Sequence, residues 1–296
     1  MALTINNNLM AMNAARNLSN SYNALSTSVR RLSSGLRVGQ ASDDAAGLAI
    51  RELMRADIAS LNQGVRNAND AISLIQTADG ALGVIDEKLI RMKELAEQAA
   101  TGTYNSDQRL MIESEYQAMA SEITRIANAT DFNGVHLLNG NLSSDTHDGS
   151  GLTSTGKLKI HFGTANDSAE DYYYVRIGDS TASALGVGNQ TESTNAGYTV
   201  STQQKAQEAL EGLNNAIVSK DKIRAHLGAL QNRLENTVSN LQIQAENMQA
   251  AESRISDVDV ATEMTEFVRN QVLTQAAVAM LSQANSLPQM ALQLIG

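Results

Sequence analysis

From about residue 44 to residue 100 the chain runs without a proline and keeps a single apolar rhythm. Ile72, Ile75, Ala78, Leu82, Ile85, Leu89 and Met92 follow one another at spacings of three and four, which is the pattern of a helix with one buried face. At a rise of about 1.5 Å per residue this helix is a rod of roughly 80 Å. A rod of that length cannot be covered by an ordinary globular core; it needs partners of similar length. The sequence supplies them. Ala15, Leu18, Tyr22, Leu25, Val29 and Leu32 mark a heptad seam on an N-terminal helix, which should end at Ser33-Ser34-Gly35, where glycine accepts a left-handed backbone. Ser42-Asp43-Asp44 offer an N-cap and first-turn acids for the long helix. Gly80 and Gly83 mark either weak points in it or sites of close helix approach. A shorter helix is expected over 108–129, capped by Asn105 or Ser106. A long one over 201–253 carries Leu213, Leu227, Leu230, Leu234 and Leu241 on one stripe, with Ser201 and Gln204 as a capping box. Ser256-Asp257 should break it and recap a last helix.

Between these helices the pattern changes. DFNGVHLLNG, GKLKIHFG and DYYYVRIG are short, β-branched or aromatic, and bounded by Gly, Asn and Asp. They predict strands and turns over about 131–190. The expected fold class is therefore mainly α: a long antiparallel helical bundle or coiled coil with a small β-hairpin region in the middle of the chain.

Composition supports this reading and narrows the chemistry. Aromatics make up 3% of the 296 residues, Trp is absent, and Pro288 is the one proline. Helical bundles tolerate that profile, because small and aliphatic side chains fill their seams. With no cysteine, disulfides, thiolate metal sites and a cysteine nucleophile are excluded. A net charge of −10 disfavours nucleic acid as a general partner. His136, His147, His161 and His226 have no metal-ligand spacing, and the glycine pairs lack the strand–helix context of a nucleotide loop. No constellation supports catalysis, a metal or a cofactor, and the expectation is a non-enzyme. The N-terminal stretch has no basic cluster and apolar run of the secretory kind. The uncharged segment 270–296 is interrupted by Gln271, Gln275, Gln283, Asn285, Gln289 and Gln293, so no membrane span is expected.

The two ends of the chain are of opposite charge. Residues 1–42 hold Arg16, Arg30, Arg31 and Arg37 and no acid; residues 256–296 hold Asp257, Asp259, Glu263 and Glu266 against Arg269 alone. The arms should pair with each other, along a seam of Leu18, Tyr22, Leu25, Val29 and Leu32 with Met264 and Val268. The expected organisation is one discontinuous unit, 1–42 with 256–296, and a second unit over 43–255. Two long striped arms with so little to bury them should be mobile alone and become ordered on assembly.

Four segments, in this order, give the chain a resemblance to a known family: LSSGLRVGQASDDAAGLAI (32–50), DFNGVHLLNG (131–140), LGALQNRLENTVSNL (227–241) with AESRISDVDVATEM (251–264), and the ending LSQANSLPQMALQLIG. The chain resembles bacterial flagellin. The resemblance implies an inner-core domain built from both termini and a helical rod domain with a small β part. Only about 60 residues separate DFNGV from the returning helix, so no outer domains are expected and the filament should be comparatively smooth. It further implies an exported structural subunit of the motility filament, secreted unfolded through the flagellar type III channel and located outside the cell. The implied partners are further copies of itself, the flagellar cap, hook-junction proteins and an export chaperone. The Gln-rich face of the C-terminal arm would suit a polar channel wall.

The segment LIRMKELAEQ (89–98) resembles the stretch sensed by the innate Toll-like receptor for flagellin. It carries over Arg91, Leu95, Gln98 and, from the next helix, Glu115, with axial packing in the filament as their primary role. Lys93 and Glu97 depart from the family's usual residues there. Flagellin glycans are usually O-linked in the β part, which makes Ser143, Ser144 and Thr153 candidate sites. The competing readings are a hook–filament junction protein, which shares the terminal architecture, and a helical signalling rod.

Overall fold

The computed structural model describes residues 8–150, 155–168, 170–188 and 199–295. It is mainly helical, as the sequence predicts. In chain order come α1 (Leu9–Ser34), α2 (Ala45–Ala100), α3 (Ser106–Ala129), the short strands β1 (Asp131–Phe132), β2 (Val135–His136), β3 (His147–Asp148), β4 (Thr155–Gly156), β5 (Leu158–His161) and β6 (Tyr172–Val175), then α4 (Gln203–Ser256) and α5 (Val260–Ile295). The chain divides into two compact units: Met1–Ile58 with Glu246–Gly296, and Ala59–Ala245.

The central unit, 59–245, has one continuous core. On α2 the inner row runs Ala68, Ala71, Ile75, Ala78, Leu82, Ile85, Leu89, Met92, Ala96 and Ala99, alternating steps of three and four, and each of these residues is buried. Ile112, Tyr116, Ala120, Ile123 and Ala127 of α3 and Ala206, Ala209, Leu213, Leu227, Leu230 and Leu234 of α4 complete it. A heptad stripe of this kind places every inner side chain against a neighbouring helix. Polar rungs link α2 to α4 beside the stripe. Arg224 donates to Asp79 at 2.7 Å, Lys220 Nζ to Asp86 at 2.5 Å, and Lys93 Nζ to Asn214 at 2.8 Å. These α2 positions are seven residues apart, and their α4 partners run in the opposite direction, so the helices are antiparallel and in one register.

The β part consists of three two-stranded antiparallel sheets. Asn133 and Gly134 link β1 to β2 with φ of 52° and 80°, the left-handed pair that a tight hairpin turn requires. β5 pairs with β6 from Leu158↔Val175 to His161↔Tyr172. Its inward residues Leu158, Ile160, Tyr173 and Val175 join the core. Asn67 of α2 donates to the His161 carbonyl at 2.8 Å. Gly64 is required beside it, because a Cβ there would lie 2.0 Å from the Phe162 carbonyl oxygen.

Helix ends follow the capping rules but not always on the expected residue. Gly35 ends α1 in the left-handed region at φ 72°, as predicted. Asn105 caps α3 in a reciprocal box with Gln108. Asp44 alone caps α2, accepting from the Gly47 N–H at 2.9 Å, while Asp43 turns back to accept from Gly39 and Gln40. Thr202 rather than Ser201 caps α4: its Oγ1 accepts from the Lys205 N–H at 3.3 Å, and the Ser201 N–H is taken by Thr199. Asp259 rather than Asp257 recaps the last helix, accepting from the Ala261 N–H at 3.0 Å. Gly80 and Gly83 face open space, so neither is a site of close helix approach.

Candidate assembly surface

In the unit formed by both ends of the chain, α1 and α5 lie antiparallel. Asn8 Nδ2 at the start of α1 donates to the Ala284 carbonyl near the end of α5 at 2.7 Å. At the opposite end Arg31 pairs with Glu263 at 3.6 Å. The facing rows are Ala11, Ala14, Leu18, Ser21, Leu25, Ser28 and Leu32 on α1 and Glu263, Phe267, Asn270, Thr274, Ala277, Leu281 and Ala284 on α5, all buried or half-buried. Both rows keep strict heptad spacing. Their small residues let the backbones approach, with Cα atoms of the two helices within 8 Å of each other along the pair.

This seam corrects the sequence expectation. Leu18, Leu25 and Leu32 lie in it, whereas Tyr22 is 64% exposed and Val29, Met264 and Val268 also face outward. The apolar count pointed Tyr22 and Val29 inward, but close approach selects Ser21 and Ser28 instead, one position earlier. A heptad written on all three- and four-residue intervals, small residues included, would have found it. Continuing that register places Ala15, Tyr22 and Val29 with Met264 and Val278 on one flank of the pair. On the other flank Met10, Asn17, Leu273 and Met280 line a groove of about 610 Å³. Val260 and Val272 are exposed as well. The apolar residues of α5 are spread around its whole circumference, unlike the one-sided α1. A helix of this kind is covered by a larger body or spans a membrane, and no helix among the described residues is long and apolar enough to cross a membrane.

The charge pairing between the arms is narrower than expected. Arg31 meets Glu263, but Arg30 pairs with Asp43 at 2.8 Å and donates to Gln40, within its own end of the chain. Arg16 is exposed and has no ion-pair partner among the described residues. The segment after α1 instead docks on the break between α4 and α5. Leu36 forms a β-bridge with Asp257, the Arg37 N–H donates to the Ser256 carbonyl at 2.6 Å, and the Val258 N–H to the Gly35 carbonyl at 3.0 Å. Arg37 Nη2 reaches the Ile255 carbonyl at 2.7 Å, and the buried Arg51 donates to the Val38 carbonyl at 2.6 Å. This latch fixes where the two arms leave the adjoining helices. Sequence reasoning missed it, since it depends on backbone groups that carry no residue signature.

The receptor-like positions separate into surface and core. Arg91 is exposed and forks onto Glu115 at 2.7 and 2.9 Å and onto Glu94 at 2.9 Å. The hydrogen bonds it donates to Glu115 and Glu94 raise its pKa further. Gln98 is exposed and donates to Tyr104 at 3.1 Å. Leu95, by contrast, is 1% exposed and belongs to the core between the helices, so its side chain offers no contact surface. Among the glycosylation candidates, Ser144 is exposed, Ser143 is half-buried with its hydroxyl donating to the Gly140 carbonyl at 2.6 Å, and Thr153 lies outside the described residues. No group of three or more His, Asp or Glu residues suited to a metal occurs among the described residues.

Comparison with known proteins agrees with this architecture. Residues 5–143 match the bacterial flagellin N-terminal helical region and residues 210–295 match the bacterial flagellin C-terminal helical region. The flagellar filament 33 kDa core protein of Treponema phagedenis is 41% identical over 293 residues, covering 99% of this chain and 100% of that protein. A flagellin of Halalkalibacterium halodurans is 42% identical and one of Bacillus subtilis 41%, again across 99% of this chain and 100% of each relative. Among solved structures, a putative flagellar hook-associated protein from Vibrio parahaemolyticus aligns with a TM-score of 0.55 at 13% identity, over 73% of this chain and 100% of that one. That likeness is one of fold alone, and the full-length identity is to filament proteins. The chain belongs to the bacterial flagellins, the structural proteins of the flagellar filament.

Proposed function

We propose that this flagellin joins its filament by burying both flanks of the α1–α5 pair, the Tyr22–Val29–Met264 side and the Met10–Leu273–Met280 groove, against further copies of itself. The observation that carries this is α5, which is apolar all round yet covered on one side only, by α1. In this reading residues 1–42 with 256–296 form the inner core of the filament and 43–255 its rod, without outer domains. The subunit travels unfolded through the flagellar type III channel to the outside of the cell, and the half-covered arms keep it exportable. A chaperone covering α5 beforehand, and the cap and hook-junction proteins at the ends of the filament, fit the same faces. The outward Gln271 and Gln275 suit an uncharged channel wall.

Growth of filament fragments seeded into monomer, followed by light scattering and electron microscopy, tests the reading. Met264→Asp on one flank and Leu273→Asp on the other should stop elongation while leaving the circular dichroism of the monomer unchanged. Elongation at the normal rate in both variants would falsify it. Deletion of residues 1–42 should abolish growth altogether.

Recognition by the innate flagellin-sensing Toll-like receptor is a second property of the monomer in this reading, carried by Arg91, Glu115 and Gln98. In a receptor reporter assay Arg91→Ala and Glu115→Ala should lower potency. Leu95→Ala is not a usable probe of contact, because it removes core packing. O-glycosylation, where it occurs, falls on the exposed Ser144 ahead of Ser143.

A further inference from the structure

The outer face of the β5–β6 hairpin gathers lysines and aromatic rings in a chain that is acidic as a whole. With Leu158, Ile160, Tyr173 and Val175 turned inward, alternation turns Lys159, His161, Tyr172 and Tyr174 outward, flanked by Lys157 and Arg176 at the open end. His147 of β3 closes that end: its ring lies 5.6 Å from Tyr174 and its Nδ1 is 2.8 Å from the Lys157 carbonyl. Lys157 Nζ sits 4.2 Å from the centre of the Tyr174 ring, and Lys159 Nζ 3.6 Å from that of Tyr172. Arg176 is paired with Asp145, and Asp148 stands at the rim beside His147. Among the described residues neither Lys157 nor Lys159 has a carboxylate partner within ion-pair distance, although the chain carries a net charge of −10.

From this face we infer a binding site for an acidic polysaccharide, one bearing carboxylates and hydroxyls on each sugar. Lys157 directly precedes β5 and Lys159 lies within it, and the tyrosine rings hold both ammonium groups in place before any ligand arrives. The charge calls for an anion. The geometry argues against bases or a plain acidic peptide. Tyr172 and Tyr174 are nearly perpendicular, at 79° with centroids 5.4 Å apart, and each has one face covered by a lysine. Stacked bases require parallel open rings. The carboxylates of an acidic peptide can only accept, whereas sugar hydroxyls both donate and accept and so also match the tyrosine hydroxyls and the Asn166 amide, whose Oδ1 accepts from Lys159 Nζ at 3.4 Å. A chain of uronic acids uses both sets.

The test is titration calorimetry of the full-length monomer with a short oligogalacturonate, with a maltooligosaccharide and polyglutamate alongside. The oligogalacturonate should bind, and the neutral sugar should not. The double variant Lys157→Gln/Lys159→Gln should weaken binding about tenfold, the size expected for two exposed charge pairs. Tyr172→Phe/Tyr174→Phe keeps the rings over the lysines and should weaken the oligogalacturonate severalfold without changing polyglutamate. No binding of oligogalacturonate, or binding that neither double variant weakens, overturns the proposal. Polyglutamate binding equally well with no effect of Tyr→Phe also overturns it, leaving a charge patch for acidic peptides. Unchanged circular dichroism in both variants excludes a folding effect.

Discussion

The terminal pair and the central bundle are both heptad-patterned, and they bury different things. In the central bundle large side chains, Leu, Ile, Met and the fully buried Tyr116, alternate with alanines along the inner positions. These side chains hold α2, α3 and α4 apart, and their Cα atoms hardly ever come within 8 Å. In the α1–α5 pair the inner positions of α1 are Ala and Ser with Leu18, Leu25 and Leu32, those of α5 are Glu, Asn, Thr and Ala with Phe267 and Leu281, and the backbones are close. The most deeply buried side chains of the terminal unit are Ser28, Val38, Arg51, Ser256 and Ala284, while Tyr22, Val260, Val268 and Val272 face outward. Apolar burial provides most of the favourable free energy of folding. The bundle therefore stands on its own, whereas the pair has its best apolar surface still available.

The widest separation between the two regions should come from truncating a core leucine in each. Leu89→Ala in the bundle should cost about 3 kcal/mol of monomer stability in urea unfolding, since the residue is fully buried and the long helices around it cannot collapse onto the gap. Leu25→Ala in the pair should cost about 1 kcal/mol, because its side chain is only half-buried, and should show itself mainly as slower seeded growth. Equal losses in the two would remove the distinction. The next effect is of opposite kind. Ser28→Leu adds volume to a seam whose backbones are already close, and should destabilise the pair by about 2 kcal/mol through overpacking. Protease sensitivity of residues 9–34 would report it. If small residues in the seam were merely incidental, the added leucine would stabilise the pair instead. A smaller effect is expected at Gly80, which sits mid-helix in α2 and where an added methyl group would meet no other atom within 4 Å. Gly80→Ala should raise monomer stability by about 0.7 kcal/mol and leave filament growth untouched.

How much of this was legible depended on whether the signal lay in side-chain chemistry. The bundle was readable in detail, because Ile75, Leu82, Ile85, Leu89 and Met92 are large, apolar and regularly spaced. The Asn133-Gly134 turn was readable for the same local reason: few residues accept its backbone angles. In the terminal pair apolarity misled. Tyr22 and Val29 are more apolar than Ser21 and Ser28, yet backbone proximity admits only the serines, and proximity is not written in any one residue. Cap positions slipped by one or two residues at Thr202 and Asp259, where several hydroxyls or carboxylates competed for the same N–H groups. The burial of Leu95 could have been read from its spacing, three residues after Met92 and four before Ala99, which sets it beside Ala96 on the buried face of α2. The hairpin face needed the β5–β6 register, without which Lys159 and Tyr172 could not be placed on one side.

The rungs between α2 and α4 offer a last and smaller way to set the regions apart, through pH. The hydrogen bonds from Arg224 hold the Asp79 carboxyl below its ordinary 3.8, against the opposing effect of partial burial. A carboxyl whose pKa is lower folded than unfolded contributes stability that is fully present above the unfolded value. That stability is lost as pH falls through the folded value. Both side chains of this pair are more than one-third exposed, so solvent screening keeps the effect small. Acid should thus weaken the bundle slightly more than removal of other contacts predicts, and Asp79→Asn should flatten the pH dependence of its unfolding midpoint in the acid range. The same substitution should leave the midpoint of the α1–α5 pair, followed by a probe on α1, with an unchanged slope. If Asp79→Asn altered the slopes of both regions together, the bundle and the pair would be melting as one cooperative body, and the contrast between a finished core and an unfinished pair would not hold.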